Sequence, residues 1–465
     1  MENVVNFEAI SYFSNEILCL IGIILNLFLF LFFKQKFSIK RLSDTINASI
    51  FLLGGCFLGA ILINSKINFQ NLDLCFLNNT FLINEKILVL GIIINIFMFI
   101  FSLGSYKISR KAQFKVPVVN SFLLFITAFS SLIIKSQNFL LTYFLLEGII
   151  FFSYKYASFI RFRKENIYSK SFVLISFCSS LMFFSFYILS LFIKNTIQLN
   201  IIEVMIALAL LLKTGFFPIY NYLSTLKNKI NLPYSILIYG FIPFISIVSF
   251  CTFLNNINLT NQTFQITLSL FLCSTILAFS FFSFKTKNIV KFFGGVNLIY
   301  SCVLLTQLIL LRNEDFVLKA SICYLFIFLS LGILFNIFKF NYKIDKLTIS
   351  NLKGFYFEND LLINLITANS LFLFGLFPNI ITKINLLGLK NIYLFDKMTF
   401  FISTITVISF ILVLLGGLKI IGNFYLFNKE EFKKVTITSQ NKRTAFNITV
   451  PIVTMILYLI FYFIN

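Results

Sequence analysis

A chain of 465 residues that is 59% apolar and 12% charged, with 66 Phe and a mean hydropathy of +0.93, is not a soluble enzyme. The net charge of +21 comes from short basic clusters between apolar runs, which excludes a nucleic-acid-binding domain and fits loops held on one side of a membrane. The chain has no histidine, and its eight cysteines lie far apart with no CxxC pair, so neither a metal site nor an iron–sulfur cluster is supported and proton chemistry must fall to Lys, Asp, Glu, Tyr and water.

The N-terminal stretch carries Glu2 and Glu8 and no basic region, so no secretory signal or presequence is expected. Abundant Phe, Ile, Asn, Lys and Tyr, with six Pro and no Trp, point to an AT-rich and plausibly organellar genome. From there the apolar runs predict an all-α polytopic membrane protein of about fourteen spans. They fall at 16–33, 47–64, 87–104, 117–134, 138–160, 171–193, 200–225, 233–255, 263–284, 289–311, 316–338, 360–393, 398–422 and 444–464. Lys34, Lys36, Lys40 and Arg41 follow the first span, Lys107, Arg110 and Lys111 the third, and Arg161, Arg163 and Lys164 the fifth. The alternation continues to Lys433, Lys434, Lys442 and Arg443, which places the odd loops in the cytoplasm or matrix and both termini opposite.

The fifth span carries Glu147 in FLLTYFLLEGIIFFSY near mid-depth. The seventh carries Lys213 one turn before the sequence Gly215-Phe-Phe-Pro218, and the twelfth repeats the pattern at Gly375-Leu-Phe-Pro378. Proline in a helix interior removes a hydrogen bond and costs about 3 kcal/mol, so both motifs predict local helix breaks. Five spans separate them, so the segments run in opposite directions, as in inverted repeats of five helices. The expected division is 1–116 for an N-terminal three-helix segment, 117–255 and 263–425 for the two repeats, and 426–465 for a loop and last helix. The bland alternative is a pair of ordinary Gly-Pro kinks.

An isolated charge at a helix centre costs about 2.5–3.5 kcal/mol on insertion scales, so Glu147 and Lys213 are expected to pair in the interior. The pair is either a static ion pair or a switchable one, in which separating the partners favours release of the lysine proton. Lys383 lies five residues beyond Pro378, either within the continued span or as an outer-edge anchor. Glu203 and Lys319 read as span-edge groups, and Asn297, Asn364, Asn369, Ser301 and Tyr220 as polar groups inside spans.

These stretches resemble the antiporter-like subunits of respiratory complex I, a family related to Mrp-type cation/proton antiporters. LLEGI in the fifth span, LLKTGFFPIYNYL, VKFFGGVNLIYSCVLL with Lys291 and Asn297, LFLFGLFPNIITK and GGLKIIGNFY carry the likeness by their order and spacing. The resemblance implies that Glu147 and Lys213 form a first-half proton-transfer pair, and that Lys383 is the terminal lysine of the second half. It also implies partnership with other membrane-arm subunits and with lipids. No cofactor is expected on this chain, FMN and iron–sulfur clusters belonging to partner subunits. The sequence departs from the family pattern in the eighth helix, where LPYSILIYGFIPFISI has no bridging lysine and Pro243 stands in its place, and at Ser301 and Tyr220, where the family has histidine. A scaffold subunit with a broken path and a free-standing antiporter subunit are the rival readings.

Overall fold

The computed structural model describes residues 11–32, 37–67, 74–76, 80–105, 116–160, 167–192, 196–213, 236–256, 262–341, 348–349, 360–374 and 397–425. Among the described residues are thirteen helices: α1 (Ser14–Phe32), α2 (Phe37–Ile67), α3 (Glu85–Ser105), α4 (Val116–Lys135), α5 (Phe139–Ile160), α6 (Ile167–Phe192), α7 (Thr196–Lys213), α8 (Ile242–Asn256), α9 (Gln262–Lys285), α10 (Ile289–Leu311), α11 (Glu314–Asn341), α12 (Asp360–Leu373) and α13 (Lys397–Tyr425). Ten helices are long and apolar enough to cross a membrane. The thirteen helices follow the first thirteen expected segments in order. The fourteenth segment and the loop before it lie outside the described residues, as do Gly215, Pro218, Tyr220, Gly375, Pro378 and Lys383.

The chain divides into two compact units. The first comprises residues 1–164 and 248–256, thus helices α1–α5 and the second half of α8. Helix α1 buries Cys19, Gly22, Ile23, Asn26 and Leu29 at three- and four-residue spacing, and leaves Leu20, Ile24, Phe28 and Leu31 exposed on the opposite face. That exposed face suits lipid, and the buried one packs against α2 and α4. Lipid tails are as apolar as leucine, so association rests on close packing and interhelical hydrogen bonds. Gly22 shows the packing requirement, because a Cβ there would strike Ile50 of α2 and Leu124 of α4. Between α4 and α5 the rings of Phe125 and Phe152 stack with centroids 4.4 Å apart.

Sequence reading anticipates no strand, yet β1 (Leu74–Phe76) and β2 (Phe81–Ile83) form an antiparallel hairpin between α2 and α3. Phe81 bridges to Ser136 just beyond α4, and Gln137 N–H donates to the Thr80 carbonyl at 2.8 Å. Ile83 is buried beside Leu58 and Leu88, with Tyr12 against them. The hairpin thereby pairs its backbone groups at the end of the bundle, where helical bonding stops.

The second unit comprises residues 165–247 and 257–465. Its centre is α10, capped at its start by Asn288, whose side chain accepts from the Val290 and Lys291 amides. Arg312, at φ 51°, takes the left-handed conformation that ends the helix and lets α11 begin two residues later. Helix α9 lies antiparallel to α10, with Gly295 against Ser283 and Thr275 bonded to Cys302. Residues 321–338 of α11 are buried without exception.

Candidate functional site

Glu147 sits about 12 Å along an α5 helix of about 33 Å, so its carboxylate arises close to mid-span. The side chain is half-buried. Its neighbours fix the backbone: Leu146 and Ile149 are buried, and Gly148 lies so close to the Phe129 ring that any side chain there would collide with it. Lys213 is the last residue of α7, and its side chain lies outside the described residues. Of the expected proton-transfer residues, Glu147 alone has a described side chain.

A different pair meets in the first unit. Lys135, the last residue of α4, sets its Nζ 2.6 Å and 2.8 Å from the two Glu16 carboxylate oxygens at the start of α1. The same ammonium donates to the Tyr12 carbonyl at 2.7 Å and lies 4.8 Å from the centroid of the Phe13 ring. Ser131, one turn back on α4, donates to Glu16 Oε1 at 2.6 Å. Both charged side chains are nearly inaccessible, at 4% and 8% exposure. Phe13 meets Phe81 of the hairpin edge-on, with centroids 5.5 Å apart, so aromatic rings close over the ion pair. Every ammonium donor is matched, which is what a buried charge requires to persist.

Sequence reasoning missed this pair because each member stands at a span boundary, where charge ordinarily faces headgroups. The available signal was parity: the first span begins on the same side on which the fourth ends, so a carboxylate and an ammonium there share a depth. Beside the pair, Asn15 is wholly buried with neither amide atom hydrogen-bonded, and its carbonyl oxygen points to Gly54, as does that of Asn95.

Toward the other end of the same helices lies a network of amides and hydroxyls that also takes in the Asp44 carboxylate. Asn26 donates to Asn47 at 2.9 Å, Ser43 to Asn26 at 2.6 Å, and Asn120 to both Ser43 and Asp44 at 2.8 Å and 2.9 Å. Asn47 donates in turn to the Asn120 carbonyl at 3.0 Å. These bonds join α1, α2 and α4 through side chains that lipid could not solvate.

In the second unit the polar groups gather around α10. Lys291, in its first turn, is half-buried; Asn297, two turns further, is buried and donates its amide N–H to the Tyr239 carbonyl. Ser301 donates to the Asn297 carbonyl at 2.9 Å, and Ser330 of α11 donates to Asn369 of α12 at 2.7 Å. Asn364 is exposed, Glu203 half-buried and Lys319 exposed. Among the described residues no three His, Cys, Asp or Glu side chains converge on a point that could hold a metal.

No family profile and no curated protein sequence matches the chain. Solved structures do. A chain of respiratory complex I from Thermus thermophilus, determined with aureothin bound, superposes with a TM-score of 0.71 at 11% identity, covering 96% of both chains. A chain of the membrane-bound sulfane sulfur reductase, an archaeal respiratory membrane complex, superposes with a TM-score of 0.76 at 10% identity, covering 96% of this chain and 93% of that one. The chain therefore has the fold of a complex I membrane subunit.

Proposed function

We propose that the chain is an antiporter-like membrane subunit of a complex I-type respiratory assembly and conducts protons through the membrane. The observation that carries this reading is the end-to-end fold likeness to a chain of respiratory complex I, over 96% of both partners. The mid-span carboxylate of Glu147 and the lysine ending α7 supply the ionisable groups such a subunit needs. In this reading Glu147 holds the Lys213 ammonium in place, a change in their separation releases the proton, and Lys383 passes a proton on in the second half of the chain. Five-helix inverted repeats broken at Gly215–Pro218 and Gly375–Pro378 give the two halves their symmetry. Electron transfer, with FMN and iron–sulfur clusters, belongs to partner subunits. Within the family resembled, a lysine in the twelfth span favours the subunit 2 branch. The AT-rich composition favours a mitochondrial inner membrane, with both termini toward the intermembrane space.

The likeness to the archaeal reductase favours a second reading, a respiratory assembly of the same architecture with a different electron donor or acceptor. The Lys-free eighth helix favours a third, a scaffold subunit without a working path. The test is Lys213→Met in the native assembly reconstituted in vesicles. We expect proton uptake to fall while oxidation of the electron donor by the peripheral part continues. Unchanged uptake sinks the proton-conducting role, and purification of the chain alone with cation-driven proton exchange would replace it with a free-standing antiporter.

A further inference from the structure

Helix α8 does not begin as an α-helix. Residues Leu237–Phe241 form a π-helical turn, in which the Ile242 N–H reaches back five residues to the Leu237 carbonyl. The next residue is Pro243, which has no N–H to give. In an α-helix that proton would go to the Tyr239 carbonyl, and in the π register to that of Ile238. The Tyr239 carbonyl is instead reached from α10: Asn297 donates its amide N–H to it. The approach is possible because α10 carries Gly294 against the Tyr239 ring, where any side chain would clash.

This repair fixes the orientation of the Asn297 amide, since turning it over would set two oxygens against each other. The Asn297 Oδ1 is then committed to the interior, and it has no hydrogen-bond partner there. Asn297 is 2% exposed and lies about 12 Å along a helix of about 35 Å. An unpaired amide oxygen at that depth is costly unless a donor reaches it. What faces the interior here is an acceptor, Asn297 Oδ1, and the small donor that suits it is water.

We propose that the Pro243 kink holds an ordered water, bonded to Asn297 Oδ1, and that this water stands in the proton path at the position where α8 lacks a lysine. Asn297 is a positioning residue, which holds the water without itself exchanging a proton. A neighbouring water in the path gives the held water a proton, forming one O–H bond, as another O–H bond breaks and that proton passes to the next water. The oxygen thus stays in place while charge moves. The relay role rests on the proton-conducting reading above, whereas the water site does not.

The experiment compares density maps of the native assembly, sharp enough to show solvent, for the unaltered chain, Asn297→Leu and Pro243→Ala, and measures vesicle proton uptake for each. Pro243→Ala restores a backbone N–H within reach of the Tyr239 carbonyl, so it removes the proline's disruption of the turn while keeping the Asn297 side chain. We expect a solvent peak within hydrogen-bond distance of Asn297 Oδ1, its loss in both variants, and proton uptake lowered about tenfold. Absence of the peak in the unaltered chain overturns the site. Uptake unchanged in both variants, where Lys213→Met abolishes it, overturns the relay while leaving the general reading intact. Should Lys213→Met also leave uptake unchanged, the general reading fails and the relay with it, and the solvent peak alone decides the site.

Discussion

Lys135 directs its donors to two Glu16 oxygens and the Tyr12 carbonyl, and its ammonium rests near the Phe13 ring, so none of its charge is left unmatched. Removing one partner leaves a bare charge in a low-dielectric interior, a change worth about 3–5 kcal/mol in buried pairs. Glu16→Ala and Lys135→Ala should therefore each lower the unfolding midpoint of the chain in detergent sharply. The double replacement Glu16→Leu with Lys135→Met should recover most of the loss, and losses that simply add would show that the two side chains do not act as a pair. Glu147 stands out in the sequence because it is a carboxylate in the apolar run FLLTYFLLEGIIFFSY, away from the ends of the span. Glu16 and Lys135 do not, because a charge at the end of a span has an ordinary explanation, and only three-dimensional contact separates a clasped pair from two anchors.

Helices α1, α2 and α4 are joined by a ring of amides and hydroxyls that closes on itself through Asn26, Asn47, Asn120 and Ser43. Deleting the Asn120 side chain removes the donor to Ser43 and Asp44, while Asn47 keeps its bond to the Asn120 backbone carbonyl. Asn120→Ala should destabilise the first unit by roughly 1–3 kcal/mol, seen as faster hydrogen exchange in α1 and α2 as well as α4. Exchange accelerated in α4 alone would show that the ring does not tie the helices together. Periodicity placed α1 and α4 within two residues, while α2 begins ten residues before its expected span. It could not pair them, because an asparagine reads the same whether it meets another helix or packs alone. The eighth helix lies between these cases: Pro243 was plain in the sequence, but its consequence, a π-helical turn repaired from α10, depends on a residue 54 positions away.

Basic clusters after alternate spans predict one side for the odd loops, and in that orientation the hairpin between α2 and α3 belongs to the other. Cys75 on β1 is exposed, whereas Cys19, Cys251, Cys273, Cys302 and Cys323 are buried. A membrane-impermeant maleimide should label Cys75 from the side that bears the termini, and labelling from the basic side would invert the topology. The spacing of hydropathy thus matches the order of the thirteen described helices and predicts their direction, but not their depth within the bundle. In α11 the depth is extreme, with residues 321–338 all covered by protein. A segment this apolar enters the bilayer as readily as any other, yet its final place admits no lipid. It must shed its first solvent shell of acyl chains after insertion, and α12 comes later from the ribosome. Maturation of this chain therefore requires a lateral packing step that α11 cannot complete on its own.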